Sequence, residues 1–495
     1  MPTDLTHHEH HAPTGSRRWT VAICIGGSVL MAVALAAAML SETEQVHHTH
    51  APTGWMIGTV PFALILGAIA LLPLIPRTAG WWHSNLSRFL VSVICSLATL
   101  AYLWIVNGWH AVGATLDHAV LQEYVPFIIL LFALYVISGG IHISGDMRAH
   151  PIVNTGWLAF GAGIASFIGT TGASMLLIRP LLNTNRERTH KVHTVVMFIF
   201  LVSNIGGTLL PIGDPPLFLG YLEGVPFAWT FGLWIEWLVA CIILLAIYFV
   251  WDTVMYAKEP PAVKVFDEAN VQPLGLQGSI NILWLAGVVA SVAFISPGRP
   301  IPGTELIAFD FLRELGMLGF VALSLLTTQR SVRESNRFNY GAIIEVAALF
   351  IGIFIAMQVP LEVLKAQGDG IAAALTETWM YFWITGGLSS VLDNAPTYLV
   401  FFKLAEAGTQ PGAEGSLELL GGGWIMESRL IAISLGAVFM GSMTYIGNGP
   451  NFMVKAIAEQ TGVRMPSFIG YVFRYSLPVL VPVFILITVL MMWLH

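Results

Sequence analysis

Two aspartates stand where a membrane-length apolar stretch gives way to turn-forming residues. Asp214 lies in SNIGGTLLPIGDPPLF at 203–218, and Asp393 lies in SSVLDNAPT at 389–397. An ionised Asp at bilayer depth costs about 2.5–3.5 kcal/mol on insertion scales, so it is protonated, paired or bound to a cation. Hydroxyl and amide side chains crowd the same stretches and their counterparts: Thr170, Thr171, Ser174, Ser203, Asn204, Thr208, Ser389, Asn394, Thr397, Ser442, Thr444, Asn448 and Asn451. Carboxylate, carbonyl and hydroxyl oxygens are the ligands hard cations take, and the absence of His and Cys from these stretches argues against a transition metal. Burial raises a carboxylate's proton affinity and a bound cation lowers it. A carboxylate that holds a proton or a sodium ion, but not both, exchanges one for the other as the site alternates between membrane faces. The plainer alternative is that Asp214 and Asn394 only cap broken helix ends.

The elements that position these residues come in pairs. Sliding 203–218 onto 441–452 (GSMTYIGNGPNF) by 234 positions aligns Gly207 with Gly441, Ile212 with Ile446, Gly213 with Gly447, Pro216 with Pro450 and Phe218 with Phe452, while Thr208 meets Ser442 and Asp214 meets Asn448. Backbone released from helical bonding cannot face lipid and must line a polar cavity or an ion. Paired interrupted helices in corresponding halves point to a transporter's binding site. Pro215 and Pro216 donate no amide hydrogen and hold the first break open. Two further apolar segments, 155–182 and 379–403, are broken at their middles by GTTGAS (169–174) and SSVLDNAPT, and each is expected to be a re-entrant hairpin.

The chain has 495 residues, 56% hydrophobic and only 10% charged, with sixteen Trp, which describes a polytopic membrane protein. No basic tract suggests nucleic acid. Cys24, Cys95 and Cys241 all lie in apolar spans without metal-ligand or disulfide spacing. No phosphate loop, GxSxG or HExxH occurs, so no enzyme and no cofactor is expected. Eleven spans are expected, at 19–40, 55–75, 89–106, 124–145, 193–220, 230–251, 279–296, 310–328, 342–358, 427–460 and 475–494. The first is read as a retained helix rather than a cleaved signal, because its apolar run is long and lacks a clean small-x-small site. His clusters precede HAPTG at 11–15 and again at 50–54, and are read as solvated tails, with weak transition-metal binding or pH sensing as the alternative.

Charge sets the topology. If both hairpins return to the side they left, seventeen basic residues fall inside and five (Arg299, Arg313, Lys365, Lys403, Arg429) outside, as the positive-inside rule requires. The expectation is an all-α polytopic fold with an inverted-topology repeat. A tail, helix and loop at 1–54 lead to a first repeat at 55–251, with hairpin 155–182 and broken helix 193–220. A cytoplasmic linker at 252–278 joins it to a second repeat at 279–494, with hairpin 379–403 and broken helix 427–460. The N-terminus is placed in the cytoplasm and the C-terminus in the periplasm of a bacterial inner membrane. Glu236 and Glu345, near the ends of apolar segments, are read as snorkelling, and His142 and Asp146 as interfacial.

These motifs resemble the ion transporter superfamily, which includes divalent anion:sodium symporters, arsenite exporters and NhaD-type sodium:proton antiporters. SNIGGTLLPIGDPPLFLG at 203–220 looks like the antiporter branch, and DNAPT at 393–397 resembles the hairpin tip of antiporters and arsenite exporters. The resemblance implies a homodimer with a scaffold and a moving transport domain. It implies an ion site at Thr170, Thr171, Ser174, Ser203, Asn204, Thr208, Asp214, Asp393, Asn394, Thr397, Ser442, Thr444 and Asn448, with sodium at Asp214, Asp393, Asn394 and Asn448. Carboxylate symporters carry Ser-Asn-Thr at both tips, whereas Thr-Thr-Gly and Asp-Asn-Ala stand here. Sodium or lithium for proton exchange is therefore the first reading. A sodium-coupled citrate or carboxylate carrier and an arsenite or anion permease are the alternatives.

Overall fold

The structure is a computed structural model that describes residues 53–73, 75–82, 84–372 and 375–495. The His-rich tail, the helix expected at 19–40 with Cys24, and the first HAPTG copy lie outside the described residues. The described residues are mostly helical, with two short two-stranded sheets. Among the described residues five helices are long and apolar enough to cross a membrane, or six if the bent pair Trp55–Leu71 and Pro76–Trp82 is one span. The longest, Asn85–Ser138, has 54 residues. At about 1.5 Å per residue that is about 80 Å, more than twice a hydrocarbon core of about 30 Å. Gly108 breaks it with φ 81° and ψ −178°, giving two arms. The larger expected number of eleven includes segments whose helices are shorter than a bilayer, such as Val192–Leu201, Leu312–Thr327 and Glu427–Met440.

The segments expected to be hairpins are helix pairs. Pro151–Ile168 and Thr170–Thr184 meet at Gly169, whose φ of 75° turns the chain, and the two arms pack together. Thr378–Ser389 and Asn394–Ala407 meet across 390–393. Both expected broken helices are interrupted. Val192–Leu201 passes through a 3-10 turn at Ile205–Thr208 before Pro215–Leu222, and Glu427–Met440 passes through Gly441–Met443 before Gly449–Gln460. Each break crosses itself at the aligned glycines. A Cβ on Gly213 would sit 2.2 Å from the Gly207 carbonyl oxygen and 3.0 Å from Ser166 Cα, and one on Gly447 would sit 2.6 Å from the Gly441 oxygen and 2.9 Å from that of Ser389. The same pair of glycines does the same job in both halves, which is why those letters survive in the repeat.

A consequence is testable. Gly213→Ala is expected to strain the crossing by about 1–3 kcal/mol and lower the melting temperature in detergent. Gly163→Ala, at a position with open space around it, is the matched control and should melt like the wild type. Equal melting of both variants would contradict the backbone contact.

Ends that the charge count puts on one face are joined in space. On the basic face Arg88 pairs with Glu345 at 2.8 Å, His142 Nδ1 meets Asn336 Oδ1 at 2.8 Å, and Arg188 pairs with Asp252 at 2.6 Å. On the other face Trp229 donates to Glu427 at 3.0 Å and Lys403 pairs with Glu223 at 2.5 Å. Glu236 does not snorkel. It is fully buried and meets Nε2 of the C-terminal His495 at 2.9 Å, because the helices Trp234–Ala257 and Leu477–Leu494 pack side by side. Glu345 pairs with Arg88 while its side chain stays 38% exposed, as the snorkelling expectation allows. His142 belongs to a short strand, His142–Ser144, paired antiparallel with Gly275–Gln277, so part of the linker at 252–278 is folded onto the first half.

Candidate functional site

Four helices begin at one place. Thr170 and Asn394 are the first residues of the second hairpin arms, and Asp214 and Asn448 are the N-cap residues of the helices that follow the two breaks. Prolines at 215 and 216, and at 450, start those last two helices where a missing amide hydrogen costs nothing. A helix N-terminus carries about half a positive charge and unpaired amide hydrogens, so a carboxylate is electrostatically welcome among four of them.

Asp214 is that carboxylate, and it is 1% exposed. Thr170 Oγ1 donates to its Oδ1 at 2.7 Å, Asn448 Nδ2 to the same oxygen at 2.9 Å, and Asn394 Nδ2 to Oδ2 at 2.6 Å. All three donors are neutral, and each comes from a different element. No Lys, Arg or His donates to Asp214 among the described residues, so the helix termini and these donors answer its charge. The Thr170 amide also donates to the Gly213 carbonyl at 2.8 Å, which ties the first tip to the first break.

A second ring of bonds joins the two breaks to each other. Asn204 donates to Asn451 Oδ1 at 2.7 Å and to the Ile199 carbonyl at 2.7 Å, and its own Oδ1 accepts from Asn448 at 3.2 Å. Asn448 also reaches the Ser203 carbonyl at 3.2 Å. Ser174 and Ser203 share a hydrogen bond of 2.7 Å. Asn451 completes the ring by donating to the carbonyls of Gly441 and Thr444 at 2.8 and 2.9 Å. The described structure therefore brings together Thr170, Ser174, Ser203, Asn204, Asp214, Asn394 and Asn448, with Asn451 added. In the repeat Asn451 aligns with Leu217, so the internal symmetry gave no signal for it. Its place at the mouth of a helix that opens with Gly-Pro is the cue that was available.

The other candidates are local. Asp393 is half-buried at the edge of the site, where its Oδ1 accepts from the Ala395 amide at 3.2 Å and its carbonyl accepts from Thr397 at 2.9 Å. It takes no part in the hydrogen bonds that hold Asp214. Thr208 closes its own turn on the Ile205 carbonyl at 2.7 Å, and Ser442 does so on Phe439. Thr444 anchors the second break by donating to the Ser390 carbonyl at 2.5 Å, as Ser166 anchors the first by donating to Gly206 at 2.6 Å. Thr171 is half-buried and outside these bonds.

One atom is left over. Asn394 Oδ1 is buried and accepts no hydrogen bond, although its amide nitrogen is committed to Asp214. A buried acceptor without a donor costs about 1–3 kcal/mol, and a bound cation would answer it. Together with the Asp214 carboxylate it offers oxygen ligands of the kind a hard monovalent cation takes. Among the described residues no group of three or more His, Cys, Asp or Glu stands together in a way that could hold a metal ion.

A family model described as "Putative citrate transport" matches residues 50–492, nearly the whole described chain. No curated protein matches it.

Proposed function

The chain belongs to the CitMHS_2 family of citrate-type transporters and is a multi-pass membrane carrier; from that premise we propose that it exchanges sodium or lithium for protons by alternating access. Asp214 is the competing site, with Asn394, Asn448, Asn204 and Ser203 as neutral partners and Asp393 as a second carboxylate at the edge. The observation that carries this reading is a single buried carboxylate held only by neutral donors beside an unpartnered amide oxygen. A proton on Asp214 turns the carboxyl into a donor and opposes a cation. A sodium ion on it displaces the proton. Either form carries the site as a neutral unit, which lowers the cost of moving it through a low-dielectric interior.

A second reading has its own support. Four helix N-termini that meet at one point also favour an anionic ligand, and the family description names citrate. In that case Asp214 would hold the coupling sodium, and the carboxylate substrate would bind at the remaining amide hydrogens. We place the carrier in a bacterial cytoplasmic membrane as a homodimer, N-terminus inside and C-terminus in the periplasm.

The test is sodium-dependent collapse of a preset pH gradient in proteoliposomes, run beside sodium-dependent uptake of labelled citrate. Collapse without citrate uptake supports exchange, and the reverse result moves the protein to the carboxylate reading. Asp393→Asn is expected to abolish the collapse with folding intact, since Asn caps a helix about as well as Asp does. Full activity in that variant would remove Asp393 from the exchange machinery.

A further inference from the structure

Outside the residues bonded to Asp214, a second group of ionisable side chains gathers where the two site helices end, with Glu123 and Lys403 buried and the His118 side chain 41% exposed. Glu223 follows the helix that starts at Asp214, and Lys403 lies on the arm that starts at Asn394. Both are nine residues further on, about 13 Å at 1.5 Å per residue. Lys403 bridges Glu223 at 2.5 Å and Glu406 at 3.0 Å. Against them stands Glu123, which belongs to neither hairpin nor broken helix.

Glu123 is 5% exposed and sits in a π-helical stretch, Asp117–Tyr124, in the middle of the long kinked helix. An extra residue per turn widens the coil there and re-aims the side chains, a distortion found mostly at functional positions. Gln358, at the joint between Gly341–Ala356 and Gln358–Ala372, donates to Glu123 Oε2 at 2.8 Å. The other oxygen, Oε1, is buried and has no hydrogen-bond partner. Nor does His118 Nδ1, one turn back, and the two atoms stand 3.7 Å apart. That gap is too long for a hydrogen bond and short enough for one to close with a small side-chain movement. The charges that bear on the pair come from every side: Asp117 on its own element, Lys365 beyond Gln358, Glu223 at the end of the first site helix and Lys403 on the second. Glu406 reaches the pair through Lys403.

With Glu123 ionised and the hydrogen of neutral His118 on Nε2, Oε1 and Nδ1 are two buried acceptors 3.7 Å apart with no hydrogen between them. A single proton between them satisfies both atoms. We propose that Glu123 and His118 form a proton-binding site that holds one exchangeable proton between Oε1 and Nδ1. The step is simple: a proton from water adds to the carboxylate to give the acid, which donates to the imidazole, and loss of the proton to water reverses it. The proposal rests on the exchange reading only for the destination of that proton, not for the binding itself.

The experiment is a pH titration of the full-length protein in lipid, followed by infrared difference spectroscopy of the protonated-carboxyl band. The wild type is expected to show a titrating band that is lost in Glu123→Gln, kept in Asp214→Asn, and shifted in midpoint by His118→Gln. Glu123→Asp, which keeps the acid on a shorter arm, should retain a displaced band and so guards against misfolding. A Glu123→Gln spectrum that superimposes on the wild type throughout, or a His118→Gln midpoint equal to that of the wild type, would overturn the shared site. If the band behaves as expected but sodium fails to collapse a pH gradient in the wild type, the exchange reading fails and the proton site stands.

Discussion

Asp214→Asn is expected to reduce sodium-driven collapse of a pH gradient to the rate of vesicles without protein. The substitution keeps the shape of the side chain and removes both properties the exchange needs, a negative charge for the cation and a titratable oxygen for the proton. It also turns one acceptor into a donor. Asp214 now accepts from Thr170, Asn394 and Asn448, so an amide nitrogen in place of Oδ1 or Oδ2 would face at least one hydrogen pointing toward it. That mismatch is worth about 1–3 kcal/mol, small beside the whole fold but concentrated at the joint between the two halves. Asp214→Glu separates the two effects. It keeps the charge and lengthens the arm, and it should melt below the wild type with some exchange retained. Measurable exchange at wild-type rate in Asp214→Asn would end the assignment of this carboxylate, whatever the melting data show.

The largest expected effect on stability is elsewhere. Arg188 holds Asp252 through two bonds, Nη2 to Oδ1 at 2.6 Å and Nη1 to Oδ2 at 3.0 Å, with both side chains almost wholly buried. His193 adds a contact of 2.7 Å to the same carboxylate, and Asn154 one of 3.3 Å. These residues tie the turn between the first hairpin and the first broken helix to the end of Trp234–Ala257. Arg188→Ala strands a buried carboxylate, and removing one partner of such a pair costs about 3–5 kcal/mol. A large fall in melting temperature is therefore predicted, followed by loss of transport because the first hairpin loses its anchor. Replacing the pair together, Arg188→Met with Asp252→Leu, should recover part of the loss, since it removes the stranded Asp252 carboxylate while Glu259, 4.0 Å from Arg188, keeps His190 and two backbone amides. A single variant that melts like the wild type would show that the ion pair is not holding this turn.

Much of the site was legible because its backbone needs are written in unusual letters. Glycines at 207, 213, 441 and 447 are required where two strands of backbone cross, and prolines at 215, 216 and 450 start helices inside an apolar run. Those letters recur 234 positions apart and mark both breaks without any knowledge of packing. The acids were legible for a similar reason, since Asp in an apolar stretch costs too much to be idle. What could not be read is pairing between distant segments. Asn204 and Asn451 bond across 247 positions, and Gln358 and Glu123 across 235, and nothing local to either residue announces its partner. Glu236 shows the limit most directly. Near the end of an apolar helix it looks free to reach water, and only the docking of the last helix beside it brings His495 within 2.9 Å and closes that route. The relative weight of Asp214 and Asp393 also depended on three dimensions. Both are acids at breaks, but only Asp214 receives donors from three other elements, while Asp393 caps its own helix.

At the equivalent positions of the two breaks, one half carries an acid and the other its amide, Asp214 and Asn448, and the two side chains bond to each other at 2.9 Å. A second Asp at 448 would set two like charges in contact unless the pair shared a proton, so Asn448 lets Asp214 ionise without that repulsion. Under the alternating-access proposal, were the two breaks to exchange conformations, the Asp/Asn mismatch would make the two end states unequal. The outward and inward forms would differ in free energy even with no ion bound and no voltage applied, and the carrier would rest with its door open on one particular side.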